Sequence, residues 1–294
     1  MTAGRKYAMS LIKKLIFSLV LGLALAPALG QAQDFTKQER AEQRRFASNN
    51  SLFVLYHEVG HLLFHQLDLP ILGREEDAAD NVASWILLNK QSEEADQALK
   101  DAARGWLLSG VAYDSGGDES DYAAGHSLDK QRAYQIVCLM IGMDQAAFRP
   151  VANEYRIDRD RQESCRWDYD TVDRSLDKLL ANRTTKKSQG TDVVVTYHHV
   201  SGRLKAAADA FRSSGVFDEV ADEVRQHFNL RETVQFNARR CGEANAYYDS
   251  DTVEVIFCYE LMQDYMELFE ANMPDTVAPA PRQTGVGKEK TSKF

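Results

Sequence analysis

The chain has 294 residues and a formal net charge of −9, with 44% hydrophobic and 27% charged residues. These values are those of an ordinary globular protein and leave room for one large domain or two small ones. The excess of acidic residues argues against nucleic acid and anionic lipid as partners.

Residues 1–32 predict a secretory signal peptide. Four basic residues precede an apolar run from Leu15 to Ala26, which is followed by Pro27 and small residues. Cleavage after Gly30 or Ala32 fits this pattern best, and an uncleaved membrane anchor is the less favoured alternative because the apolar run is short. Removal of the segment changes the net charge to −13. We therefore expect a periplasmic or secreted bacterial protein with no membrane span in its mature chain.

Residues 46–181 are predicted to be mainly helical. The segment at 51–67, "SLFVLYHEVGHLLFHQL", is apolar around most of its circumference, which indicates a buried helix. The segment at 75–90 carries acids in its first turn, where they favour the helix dipole. A third helix is expected from the N-cap residue Ser92 to Gly110. Two more helices are predicted at 128–141 and 167–181.

A polar linker at 182–190 is predicted to lead into an α/β segment at 191–273. Its strands are "DVVVTYHHV", "TVQFNAR" and "DTVEVIFCYEL", and a helix is expected at 204–228. Between the last two strands lies "CGEANAYYDSD", whose Gly, Asn and Asp content suits a hairpin-type connection. The tail at 274–294 has few large apolar residues and is predicted to be disordered.

The four cysteines predict disulfides, because their number is even and the chain is expected to be exported. We favour Cys138 with Cys165 and Cys241 with Cys258 over the other two connectivities, since this pairing closes two short loops. A cysteine metal site is less favoured, because the spacings are too long for one.

The segment "HEVGH" predicts a metal centre. On a helix, His57 and His61 present two imidazoles to one ion while Glu58 points to the neighbouring side. A catalytic zinc site also needs a third protein ligand, and a carboxylate must take a proton from the attacking water. Glu58 is placed for that role, whereas the alternative is a buried helix whose histidines bond to neighbouring backbone groups.

The third ligand is predicted to come from "EDAAD". Phe64 and Leu67 stand where a metzincin would have glycine and histidine, so that class is excluded. Glu76 is the predicted ligand and Asp80 the predicted partner of a ligand histidine, as in a gluzincin site. Glu75 is a rival ligand, although it is out of phase with Asp80. His65, one turn beyond the motif, is expected only to pack or to face solvent.

Several segments resemble a bacterial family of inferred zinc metallopeptidases known as a domain of unknown function. The resemblance covers the HExxH and ExxAD segments together with "HSLDKQRAYQIVCL", "CGEANAYYD" and "CYEL". It implies a metal-dependent peptidase and no particular substrate. The order differs, because the block with "CGEANAYYD" follows the HExxH helix here and precedes it in the family. This looks like a circular permutation.

A metallopeptidase must also stabilise an oxyanion. His126 and Arg132, in "HSLDKQR", are the candidates, since this element is similar to the His-x5-Arg element of prenyl-protein and heat-shock peptidases of the gluzincin group. The alternative is a surface helix entry with a solvated arginine. Four tyrosines are further candidates, although packing is the commoner role of tyrosine: Tyr122, Tyr197, Tyr247 and Tyr248.

Together these features predict an α+β protein with a zincin-like helical half beside a small sheet, forming a single metallopeptidase domain at 33–273. The predicted cofactor is Zn²⁺ and the predicted partner is a peptide or protein substrate, aligned by an edge strand. The alternative is a zinc-containing envelope protein that binds a peptide or protein without cleaving it. The sequence does not indicate an oligomeric state.

Overall fold

The computed structural model describes residues 35–181 and 190–272. The predicted signal peptide, nearly all of the predicted linker and the predicted tail lie outside these ranges. From Glu39 onward the described chain belongs to one compact unit.

The first described range consists of helices joined by loops and contains no strand. Its helices are α1 (Lys37–Leu67), α2 (Glu75–Asn89), α3 (Glu93–Ala112), α4 (Glu119–Ala123), α5 (Asp129–Met143), α6 (Gln145–Glu154) and α7 (Arg159–Leu180). Ser92 caps α3 as predicted, since its side chain accepts from the Ala95 N–H. The prediction that α3 ends at Gly110 was wrong by two residues. Helix α6 was not predicted, although the Asp144 side chain caps its first turn.

The second range contains β1 (Val193–Tyr197), a short 3-10 turn (Gly202–Leu204), α8 (Lys205–Ser214), α9 (Val216–His227), β2 (Val234–Arg239), β3 (Ala246–Asp249), β4 (Glu254–Cys258) and α10 (Tyr259–Ala271). The single helix predicted at 204–228 was wrong. Gly215 separates α8 from α9 with a φ of +76°, a backbone conformation that glycine adopts without steric cost.

In the described residues, four strands form one sheet in the order β1-β2-β4-β3. Strands β1, β2 and β4 are parallel, and β3 runs antiparallel to β4. The prediction of a hairpin between the second and third predicted strands was wrong, because β2 and β4 are parallel neighbours. The hairpin joins β3 to β4 instead, which leaves β3 at the edge of the sheet.

Both predicted disulfides are present, Cys138–Cys165 and Cys241–Cys258. The first connects α5 to α7. The second joins Cys241, in the segment between β2 and β3, to Cys258 at the end of β4. Disulfides of this kind are typical of proteins in oxidising compartments.

The α+β prediction is confirmed: the structure is mainly helical, with a small sheet in its C-terminal part. Within the described ranges, no helix combines the length and hydrophobicity that a bilayer crossing requires.

Candidate metal centre

Two histidines of α1 and one glutamate of α2 meet at a single point. His57 and His61 share one face of α1 because they are four residues apart. Glu76 Oε2 lies 3.1 Å from His57 Nε2 and 3.3 Å from His61 Nε2, and the two histidine Nε2 atoms are 3.1 Å apart. One ligand atom from each residue lies within 4.8 Å of the other two. These three residues, the donor cluster, offer two nitrogens and one oxygen to a shared ion.

Small residues bring the two helices close enough for this contact. A Cβ added to Gly60, between the two histidines, would lie 3.0 Å from Cα of Ala79 and 3.1 Å from its Cβ. Ala79 and Ala83 are fully buried on the facing side of α2. The close approach explains how Glu76, in the first turn of α2, reaches the histidines of α1.

Asp80 fixes the orientation of His57. Its Oδ1 lies 2.8 Å from His57 Nδ1, and because an ionised carboxylate only accepts, Nδ1 carries a proton and Nε2 faces the donor cluster. Arg132 of α5 donates to the same carboxylate through Nε and Nη2, both at 2.7 Å. The guanidinium also stacks on Trp106, with Cζ 3.5 Å from the ring centroid. Asp80 therefore connects His57 to a rigid contact between α3 and α5.

The electrostatics of this contact favour a charged pair. Burial alone would raise the pKa of Asp80, but the Arg132 guanidinium and the contact with His57 hold it well below its usual range. Burial alone would lower the pKa of His57, but hydrogen bonds to Asp80 and Glu76 raise it to about 9. In both cases the ionic and hydrogen-bonded partners outweigh desolvation.

Glu58 lies beside the donor cluster and outside it. The residue is 5% exposed, and burial raises the pKa of its carboxyl above the usual range. The backbone N–H of Tyr248, on β3, donates to this carboxylate and opposes that shift. A carboxylate in this position can accept a proton beside the donor cluster without acting as one of its members.

The two candidate ligand glutamates occupy different positions. Glu76 contacts both donor histidines, whereas Glu75 reaches only the Nδ1 of His61, at 2.8 Å, and its side chain is half exposed. The geometry therefore favours Glu76 over Glu75 as the third donor.

His126 comes close to the donor cluster from the loop before α5. Its Nε2 lies 2.8 Å from Glu76 Oε2, and its ring is 6.0 Å from that of His57. The side chain is half exposed. Arg74 donates to the His126 carbonyl oxygen, and Ser127 donates to Asp77, so two contacts with the start of α2 hold this loop. Hydrogen bonds from His126 and the two donor histidines hold the pKa of Glu76 far below its usual range.

Arg132 is placed differently from His126. It is 7% exposed, and its Nε and Nη2 bond to Asp80 rather than to Asp121 of α4. Asp121 instead accepts from the backbone of Gly116 and Asp118, next to α4. The solvated arginine considered as the alternative is not observed.

The tyrosine candidates fall into two groups. Tyr247 and Tyr248 line the same cavity as the donor cluster, and the Tyr248 hydroxyl lies 2.7 Å from Nδ1 of His65. Tyr122 instead donates to the Gly116 carbonyl oxygen and Tyr197 to Asp218, away from this cavity. His65 lines the cavity as well, so the expectation that it would only pack or face solvent omitted its contact with β3.

The cavity has a volume of about 1090 Å³. It is bounded by the donor cluster, by residues 244–248 of the β3 strand and its approach, and by α3, α5 and α10. Such a size accommodates several residues of an extended peptide. Residues far apart in the chain thus face one space beside the donor cluster.

The class of the protein follows from this fold and site together with a match to a protein family. A protein-family model described as "Putative metallopeptidase" matches residues 26–180 and 197–286, which include the donor cluster, His126 and β3. The chain therefore belongs to this family, and the predicted resemblance is confirmed. Neither the curated proteins nor the solved structures contain a match to the chain.

Proposed function

We propose that the protein is a zinc-dependent peptidase of the bacterial cell envelope. The observation that supports this function best is the convergence of His57, His61 and Glu76, with Glu58 held beside them. Two imidazoles and one carboxylate form a donor set that suits a catalytic zinc ion, which takes three protein ligands and keeps one position open. When bound, zinc supplies Lewis acidity, which activates water and polarises a carbonyl group.

Glu58 is the proposed general base. Its burial raises the pKa of the carboxyl, which brings its proton affinity closer to that needed near neutral pH. It accepts the proton of the attacking water and then delivers it to the amine that leaves. The backbone N–H of Tyr248 keeps the carboxylate on the cavity side of α1.

His126 is the proposed oxyanion donor. It is the exposed member of the group around Glu76, and a half-exposed imidazole can turn toward a substrate oxygen. Arg132 acts through Asp80 and so positions His57. Its predicted direct role at the oxyanion stays a prediction.

Strand β3 is the proposed substrate guide. The Cys258 N–H donates to the Asn245 carbonyl oxygen at 3.1 Å. In an antiparallel pair, every second residue of a strand bonds to the neighbouring strand, and the residues between them point their backbone groups the other way. Tyr247 therefore bonds toward β4, while the backbone groups of Ala246 and Tyr248 face the opposite side, along the cavity. The carbonyl oxygens of Ala246 and Tyr248 can accept main-chain hydrogen bonds from an extended peptide at this edge, whereas the Ala246 N–H already donates to Asn245 Oδ1 and the Tyr248 N–H to Glu58.

The envelope location rests on two features. The N-terminal segment has the charge and hydrophobicity pattern of a secretory signal, and the two disulfides suit an oxidising compartment.

Glu58→Gln tests the function. We expect this variant to retain its zinc while losing hydrolysis of a peptide library by a factor of about 10² to 10⁴, because the amide cannot accept the proton. Glu163→Gln is the matched control, since Glu163 is an exposed glutamate of α7 that does not line the cavity. Full activity in Glu58→Gln would exclude this mechanism. A wild-type protein that binds peptides and zinc but cleaves nothing would support the alternative of a non-catalytic envelope protein.

A further inference from the structure

The cavity continues beyond the donor cluster into a space between three helices. Its walls are Ser109 of α3, Tyr113 directly after that helix, Asp129 of α5, and Asp264 and Tyr265 of α10. We call these five residues the α10 subsite. None of them belongs to the donor cluster, and the mechanism above assigns them no role.

Two carboxylates of the α10 subsite have hydroxyl partners and no cationic partner. Ser109 donates to Asp129 at 2.9 Å, and the Tyr113 hydroxyl donates to Asp264. In residues 35–181 and 190–272, neither aspartate forms an ion pair with a lysine or arginine. Both are partly buried, and burial raises the pKa of each carboxyl, so a cation beside either one would be favoured.

Arg132 lines the same cavity, and its charge opposes the rise that burial causes in the pKa of Asp129, but its ion pair is with Asp80. Two of its nitrogens bond to Asp80, and its guanidinium is stacked on Trp106. An arginine held in this way is not available as a salt-bridge partner for Asp264. Within the described residues, the charge of Asp264 is therefore not matched by a cation, and a ligand can supply one.

The hydroxyl group of Tyr265 is a second feature of the α10 subsite that suits a bound ligand. The residue is 7% exposed and lines the cavity, yet within the described part of the chain its hydroxyl has no hydrogen-bond partner. The hydroxyl is not sealed from solvent, so it opens on the cavity and can bond to a group placed there. Burial raises the pKa of the Tyr265 phenol above its usual range; the charge of Arg132 opposes this rise, and the charges of Asp264 and Asp129 add to it. A ligand between these groups would give the hydroxyl a partner.

We propose that the α10 subsite binds a basic side chain, lysine or arginine, of the peptide substrate. The ammonium or guanidinium group is held by Asp264 and Asp129 and donates to the Tyr265 hydroxyl. The aliphatic stem packs on Leu261 and on the Tyr113 ring, as long basic side chains do on apolar surface. This inference rests on the proposed peptidase function and names the substrate class for it.

The test compares two peptide series that differ only in charge. Peptides blocked at both ends carry either lysine or norleucine at each position in turn on both sides of the cleaved bond. For the wild type we expect one position at which lysine raises kcat/KM at least about tenfold over norleucine. Asp264→Asn keeps an acceptor for Tyr113 and should reduce that ratio severalfold. Asp209→Asn, an exposed aspartate of α8 outside the cavity, should leave the ratio unchanged.

Binding separates failure of this inference from failure of the peptidase function. The same peptides are titrated into Glu58→Gln protein by fluorescence anisotropy. A lysine preference in binding that Asp264→Asn removes would support the subsite even if the wild type cleaves no peptide. Cleavage with no lysine preference at any position would overturn the subsite and leave the peptidase function standing. A third series with an unblocked α-amino group completes the test: a preference seen only in that series would also overturn the subsite, because the cation would then be the peptide terminus.

Discussion

Asp80 is a single carboxylate with two tasks, because it orients His57 and neutralises Arg132. It is 6% exposed and Arg132 is 7% exposed, so each charge depends on the other for compensation. A buried pair of this kind contributes little net stability when it is intact, but removal of one partner leaves an uncompensated charge. The position of a donor histidine is thereby coupled to the stability of the helical segment.

Arg132→Met is expected to lower the free energy of unfolding by about 3 to 5 kcal/mol, since Asp80 would remain buried without its cation. Urea unfolding of the metal-free protein measures this change. The double variant Asp80→Asn/Arg132→Met should lose less than the sum of the two single variants, because both charges are removed together. Strict additivity would show that the pair is not coupled.

His126→Ala tests the oxyanion role. We expect kcat to fall by a factor of about 10² to 10³ with little change in KM, because such a donor acts mainly on the transition state. Zinc content, measured by elemental analysis, should stay at the wild-type value. Loss of zinc would instead identify His126 as a ligand. The zinc measurement matters because His126 Nε2 lies only 2.8 Å from Glu76 Oε2.

At the scale of elements, the contact between α1 and α2 determines the geometry of the donor cluster. The histidines and Glu76 come from different helices, and the distance between the helices is set where Gly60 meets Ala79. Protein interiors are close-packed, so a larger residue there has to displace a helix or strain its own conformation.

Gly60→Leu is therefore expected to weaken zinc binding by at least about tenfold and to cost about 1 to 3 kcal/mol of stability through overpacking. Competition with a chelator measures the affinity. Ala41→Leu is the control, because Ala41 lies on the same helix and is exposed. Unchanged zinc affinity in Gly60→Leu would show that helix spacing does not control the site.

The two disulfides allow a paired test of β3. Replacement of either pair by serine should cost about 3 kcal/mol of stability in a chain-entropy model, since both close short loops. The loop of Cys241–Cys258 contains β3, so only its removal should also raise KM for peptides. The Cys138–Cys165 pair connects α5 to α7 and serves as the control. Equal kinetic effects of the two changes would contradict a role for β3 in holding substrate.

The local parts of the site could be predicted from the sequence. The spacing of His57 and His61 fixes a shared helical face, and the four-residue spacing of Glu76 and Asp80 does the same on α2. The helix break at Gly215 was missed because one glycine inside an amphipathic pattern is often tolerated. Strand β3 was missed because its Gly, Asn and Asp neighbours suggested only a turn, although "AYYD" contains two residues that favour strands.

For the whole molecule, the cavity depends on long-range packing that periodicity does not encode. Asp264 and Tyr265 lie near the end of the described chain, yet they face the same space as residues of α1, α2, α3 and α5. No motif links them to the HExxH segment, so sequence patterns provide no reason to select them. The charge of Asp264 at this cavity is a more specific indication of a site for a cationic substrate group than the net charge of the whole chain.

Metal removal and restoration test the proposed function at this scale. The purified mature chain is analysed for metal and incubated with a peptide library, then depleted with a chelator and titrated with zinc. We expect one zinc per chain, loss of cleavage on depletion, and recovery that is complete at one equivalent of zinc. Peptide cleavage that continues in the fully depleted protein would contradict a zinc-dependent peptidase.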